Sequence, residues 1–165
     1  MMTSEKKPTD MLKEEHQNVL QKLDDLEDII SRLDKKEEIS AQLRELTSFF
    51  KTDFWVHFTK EEEALFPEIE KFISRNDGPT GMMLVEHEDL RNTNKEFQVA
   101  INEYFGTSDS AEVKRTIQEY GSQFIEVLRQ HIDKEDNILF IMAEMHLDQV
   151  QLDRVAKLFD EIETA

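Results

Sequence analysis

The chain has 165 residues, about the size of one domain, with a formal charge of −17 and no cysteine. That charge excludes a basic surface for DNA or RNA, and the missing cysteines exclude disulfide frameworks, thiolate metal sites and cysteine nucleophiles. Most of the 37 acidic residues read as a solvated helix surface. The polar start MMTSEKKPTD has no apolar core behind its lysines, and no stretch is long and apolar enough to span a bilayer. These features predict a soluble, cytoplasmic protein that engages neither membrane nor nucleic acid.

Only four glycines and three prolines punctuate the chain, and apolar residues recur at helical spacing, which predicts an all-α fold. After a flexible segment over residues 1–8, a first helix starts behind Pro8, capped by Thr9 or Asp10, and runs to about Leu33. Its inner face carries Leu12, His16, Leu20, Leu23, Leu26 or Glu27, and Ile30. A second helix runs from about Ile39 through Phe50, Phe54, His57, Glu61 and Leu65, and should kink or stop near Pro67. The loop RNDGPTG separates it from a third helix that begins near Thr80 or Gly81. That helix aligns Met83, His87, Leu90, Asn94, Phe97 and Ile101 and breaks at Gly106, where Ser108 or Asp109 can cap the next. The fourth helix runs to about Met145 with Phe124, Leu128, His131, Glu135, Ile138 and Met142 in line, and tolerates Gly121 at about 1 kcal/mol. A short fifth helix from about Leu147 to Ile162 completes the chain. Short loops between long amphipathic helices predict an up-down antiparallel four-helix bundle over residues 9–146, with the segment 147–165 packing on it as an additional helix.

Four of the five histidines fall on these inner faces. A lone histidine is followed about 41 to 44 residues later by His-x-x-x-Glu, and the pattern occurs twice: His16 with His57 and Glu61, then His87 with His131 and Glu135. His16 and His57 lie at about the same distance from the first interhelical loop, so they should face each other; the second hairpin matches to within about one turn. In an antiparallel bundle four imidazoles and two carboxylates would then converge. The spacing alone is weak evidence, because with 37 acidic residues in 165 about one histidine in five would have such a partner by chance, and two do. Position carries more weight. Buried carboxylates need a cation or a hydrogen-bonded partner, so the faces predict a metal site or, failing that, a polar network without metal.

Imidazole and carboxylate without sulfur suit iron or manganese, and zinc remains open on affinity grounds. The Glu-x-x-His pattern of ferritin-like di-iron bundles is absent, as is His-Glu-x-x-His. His146 lacks an acidic residue at the fourth position and reads as a surface or second-layer residue. Phe50, Phe54, Trp55, Phe58, Phe97 and Phe124 read as core packing, and Met82, Met83, Met142 and Met145 as core or gap filling.

The stretches EEHQNVL, HFTKEEEALFP, GMMLVEHEDLR and HIDKEDNILF together resemble the hemerythrin-like, HHE cation-binding family over about residues 10–145. The resemblance implies two non-haem irons with an oxo or hydroxo bridge, manganese or zinc being weaker alternatives. It implies that His16 and His57 serve one iron, His87 and His131 the other, and that Glu61 and Glu135 bridge them. The oxygen-carrying hemerythrins have a further histidine four residues after the third one, and this chain has Arg91 there. Each iron would then have five ligands and an open position. Arg91 could pair with a bridging carboxylate or receive an anion, or be a surface arginine. The function so implied is binding of dioxygen, nitric oxide or peroxide for sensing, storage or delivery. The alternatives are an enzyme acting on peroxide or repairing iron centres, and a helical interaction module with a structural metal; a homodimer stays open.

Overall fold

The computed structural model describes residues 6–106 and 110–165. The flexible segment expected over residues 1–8 lies outside them as far as residue 5, and the expected caps Ser108 and Asp109 lie outside them too. The described residues form helices with no strand. Helix α1 spans Pro8–Ile30, with Pro8 in the first turn, where its missing N–H is not needed. The second helical rod is built from α2 (Lys36–Ser48), α3 (Trp55–Lys60) and α4 (Phe66–Ile69), joined by π-turns at Phe49–Asp53 and Glu61–Leu65. Helix α5 spans Pro79–Phe105. The fourth rod joins α6 (Ala111–Lys134) to α7 (Phe140–His146) through a π-turn at Glu135–Leu139. Helix α8 spans Gln149–Glu163 behind a reciprocal Asp148–Gln151 cap. The cap of α6 is Ser110, whose hydroxyl accepts from the Val113 amide. No helix is long and apolar enough to cross a membrane among the described residues.

The π-turns redirect backbone groups that side chains then satisfy. The Phe54 amide bonds to the Phe49 carbonyl rather than to Phe50, at 3.0 Å. The freed Phe50 carbonyl accepts from Trp55 Nε1 at 2.8 Å and from Asn94 Nδ2 at 2.9 Å, which ties the second rod to α5. At the next π-turn the Phe66 amide bonds back to Glu61. Pro67, which has no amide to give, follows immediately, and the rod ends at Ile69. The expected stop is thus a widened turn and a short final helix. In the fourth rod the extra residue of the π-turn advances the buried face by one position. Ile138, expected inside, is 56% exposed, and Leu139 is buried in its place.

Cross-rod contacts define the pairing. Gln118 donates to the Ile30 carbonyl, and Arg129 pairs with Asp24 and Glu27, so α6 lies along α1. Gln98 donates to the Thr47 carbonyl, again joining α5 to the second rod. Gly121 is where rods approach closely: an added Cβ would sit 3.0 Å from both Ile30 Cδ1 and Phe97 Cε1. That approach accounts for a glycine in mid-helix. Helix α8 lies against α1 and α3, and Arg154 bonds the buried Glu68 carboxylate at 2.7 Å.

The apolar core is divided in two. One block runs from Val19 to Ile132 and includes Phe50, Phe97 and Phe124; the other includes Leu12, Leu65, Phe66, Met83, Phe140 and Phe159. A buried polar layer of histidines and glutamates lies in the core alongside these blocks. Of the methionines expected to fill gaps, Met83 is buried, whereas Met82 and Met145 are exposed. His146 is exposed and stacks on Phe72.

Candidate metal centre

The six residues singled out by spacing meet in the polar layer. His16 comes from α1, His57 and Glu61 from the second rod, His87 from α5, and His131 and Glu135 from the fourth rod. All are buried; His57, at 5%, is the most exposed. His16 Nε2 and His57 Nε2 are 3.0 Å apart, and His87 Nε2 and His131 Nε2 are 3.2 Å apart. Glu61 directs Oε2 to His57 at 3.6 Å and Oε1 to His87 at 3.2 Å, so one oxygen faces each imidazole pair. Glu135 Oε1 lies 3.2 Å from His16 and 3.4 Å from His131. The groups form two overlapping sets: His16, His57, Glu61 and Glu135, and Glu61, His87, His131 and Glu135.

Four further carboxylates fix the imidazoles from outside. Nδ1 of His16 meets Asp136 at 2.8 Å, that of His57 meets Glu15 at 2.8 Å, that of His87 meets Glu62 at 2.6 Å, and that of His131 meets Glu86 at 2.8 Å. An ionised carboxylate can only accept, so each Nδ1 donates and each neutral ring turns its Nε2 lone pair inward. Each supporting carboxylate is the sequence neighbour of a ligand candidate on the adjacent rod. Together they form a closed ring: α1 supports the second rod's histidine, the second rod supports that of α5, α5 supports that of the fourth rod, and the fourth rod supports that of α1. Glu15, Glu62, Glu86 and Asp136 are not among the residues that spacing singles out. The signal was an acidic residue directly beside each of four ligand candidates.

Arg91 reaches the centre through this ring. Its guanidinium donates to Glu62 at 2.9 Å and to Glu88 at 3.2 Å, so it neither touches the central carboxylates nor stands free for an anion. Burial alone would raise the Glu62 pKa, but the bonds from His87 and Arg91 outweigh it and hold the carboxyl at about 2. Aromatic rings wall the layer. Phe58 stacks on His87 at 3.7 Å, and Phe66 and Phe140, which spacing did not single out for the site, stack on His87 and His16.

The donor set fits a cation. Both oxygens of Glu61 and of Glu135 are buried with no hydrogen-bond partner, although four imidazole nitrogens lie beside them. Two nitrogens bound cis to one ion at about 2.1 Å would stand about 3.0 Å apart, close to the separations found within each histidine pair. As free side chains the groups conflict. Burial and the charge of Glu135 push Glu61 up to about 8. Burial would lower the pKa of His131, yet the Glu135, Glu86 and Glu61 carboxylates lift it to about 10. Protons are held where a cation would take lone pairs, so binding one would release them.

A family model, the hemerythrin HHE cation-binding domain, matches residues 7–143. The chain belongs to this family. No curated protein matches the chain. The HHE domain binds metal cations, and its matched span contains all six convergent residues and stops before α8.

Proposed function

We propose that the chain is a non-haem di-iron protein whose centre binds dioxygen or a related small molecule, nitric oxide or peroxide, for sensing, storage or delivery. In this reading His16 and His57 hold one iron, His87 and His131 hold the other, and Glu61 and Glu135 are shared, with an oxo or hydroxo group between the irons. The four long rods form an up-down antiparallel bundle, in keeping with the pairings of Ile30 with Gln118 and of Thr47 with Gln98. The observation that carries the reading is the inward set of four imidazole nitrogens and four carboxylate oxygens, in which neither glutamate has a donor. Nitrogen and oxygen ligands without sulfur, shared between two positions in a helical bundle, favour iron.

The protein's own residues perform definable tasks. Glu15, Glu62, Glu86 and Asp136 keep the Nδ1 protons in place and thereby keep every Nε2 free to bind a cation. The two apolar blocks and the rings of Phe58 and Phe140 exclude bulk water, which lowers the local dielectric around the carboxylates. When bound, the irons supply open positions for a small ligand and the electrons to bind or reduce it. Metal analysis of the purified protein should find about two irons per chain, with visible bands lost on reduction and restored reversibly by oxygen. Irreversible oxidation would argue against an oxygen carrier.

A second reading, an enzyme acting on peroxide, is favoured by one feature: both positions have the same protein ligands, two histidines and two shared glutamates, so neither is closed by an extra side chain. Oxygen evolution from peroxide by the iron-loaded protein tests it, and no evolution at any loading would remove it.

A further inference from the structure

The two metal positions have matching ligands but differ in what stands behind them, and the difference leads to α8. In both halves a lysine three residues after the second histidine holds the carboxylate that orients that histidine. Lys60 Nζ meets Glu15 Oε2 at 2.6 Å behind His57, and Lys134 Nζ meets Glu86 Oε2 at 2.5 Å behind His131. The environments of these lysines diverge. The Lys134 side chain is 39% exposed and has no other carboxylate among the described residues. The Lys60 side chain is 4% exposed, bonds a second carboxylate, Glu163, and lies 5.7 Å over the Phe159 ring. Glu163 and Phe159 both belong to α8, beyond the span of the family match.

A buried ammonium needs its charges and hydrogen bonds satisfied. Two carboxylates meet that need for Lys60, and the chain of contacts runs from Glu163 through Lys60 and Glu15 to the Nδ1 of His57. The same residues, with Phe54 and Val56, line a pocket of about 300 Å³ that includes His57. Glu15 is already 34% exposed, so its bond to Lys60 is what holds it against His57, and displacing Glu163 would leave the buried Lys60 with one carboxylate fewer to fix it there. Water competes for the carboxylate that sets the ring's orientation and basicity.

We propose that α8 is a working part of the metal centre: Glu163 and Lys60 are positioning residues that, through Glu15, hold His57 on its ion, so that α8 governs retention of the ion at the His16–His57 position and leaves the His87–His131 position alone. The inference rests on the two-metal reading above. Removing α8 outright is a poor test, because Leu152, Val155 and Phe159 are buried and the truncated chain would lose core packing. Point variants of the full chain avoid that difficulty.

The test loads the full-length protein with cobalt(II), whose visible bands report occupancy and whose paramagnetism shifts the imidazole N–H proton signals. Release into excess chelator is followed in the parent and in Glu163→Gln, Lys60→Met, Lys60→Arg and Lys134→Met. In Glu163→Gln one of the two ions should leave about 3- to 10-fold faster, and in Lys60→Met about 10- to 100-fold faster, while the second keeps its parental rate. Only the shifted N–H signal of His57 should move, and Lys60→Arg should restore the parental rate. Lys134→Met should accelerate the other ion. Parental rates and an unmoved His57 signal in both Glu163→Gln and Lys60→Met would overturn the inference and leave the metal reading standing; so would equal acceleration of both ions. Failure of the parent to take up either cobalt(II) or iron(II) would overturn the metal reading itself, and this inference with it.

Discussion

Substituting Glu61 by glutamine should stabilise the metal-free protein while destroying its ability to be stabilised by metal. Glu61 is fully buried, both of its oxygens are without hydrogen-bond partners, and burial together with the Glu135 charge pushes its pKa to about 8 from an ordinary 4.5. A carboxyl whose folded pKa is raised loses stability as pH climbs from its unfolded value to its folded one. The penalty is absent below about pH 4.5, grows through neutrality and levels off above about 8. At pH 7 it amounts to about 3 kcal/mol, from about 2.5 pH intervals at roughly 1.4 kcal/mol each. Glutamine keeps the shape, removes the ionisation and offers an amide donor to Glu135. Urea unfolding in chelator, followed by circular dichroism, should therefore show Glu61→Gln about 3 kcal/mol more stable than the parent at pH 7, and equal to it near pH 4. In thermal scans the gain corresponds to roughly 6–12 °C. With metal the order should reverse, since an ion at roughly a thousand times its Kd stabilises the parent by about 4 kcal/mol and the variant lacks a shared ligand. A variant no more stable than the parent at pH 7 without metal, or equally stabilised at pH 4 and pH 7, would refute the argument that Glu61 is held in place for a cation.

Asp136→Ala should weaken metal binding about 10- to 100-fold in chelator competition, because it removes the carboxylate 2.8 Å from His16 Nδ1 without touching a direct ligand. Arg91→Met should leave the metal count unchanged. It should, however, raise the Glu62 midpoint above its parental value of about 2 in a carbon-13 titration of the metal-free protein. The sign follows from the depressed carboxyl: Glu62 contributes its stabilisation above about pH 4.5 and loses it as pH falls through about 2, so in the variant that loss comes at higher pH. Phe58→Ala should destabilise the fold by about 3–5 kcal/mol in urea unfolding, because a buried ring stacked 3.7 Å from His87 leaves a cavity at the centre of the polar layer.

The convergence of His16, His57, Glu61, His87, His131 and Glu135 was legible because helical period is a strong constraint: a polar residue on an otherwise apolar stripe must face the core. The π-turns were not legible in the same way. A widened turn leaves no periodic trace until the stripe has already slipped, which is why Ile138 read as buried and Leu139 did not. The ring of outer carboxylates was missed for a related reason. A residue next to a ligand candidate points about 100° away from it, so Glu62 and Glu86 leave the spot that their neighbours share. That same direction faces the neighbouring rod, where another histidine needs a partner for its Nδ1, and this is visible only once the rods are placed side by side.

With those partners in view, the internal repeat extends beyond the ligands. Glu15–His16 corresponds to Glu86–His87, and His57 through Glu62 corresponds to His131 through Asp136, with the lysine at the same step in each. In the proposed two-metal reading, two halves so alike would give both ions the same ligands and the same kind of support. Any inequality between the ions would then come from where the halves differ, and two such places lie behind the ligands. Four residues after the first histidine stands Leu20 in one half and Arg91 in the other, and Arg91 adds a cation behind Glu62 that Asp136 has no counterpart for among the described residues. The second place is the lysine, buried under α8 in one half and open to solvent in the other. The His87 position is thus braced by a guanidinium from within the bundle, and the His57 position by a helix appended to it. Glu163 stands 52% exposed at the end of α8, so its bond to Lys60 can be lost while Leu152, Val155 and Phe159 stay packed, which makes the His57 side the one where retention of an ion would be adjusted.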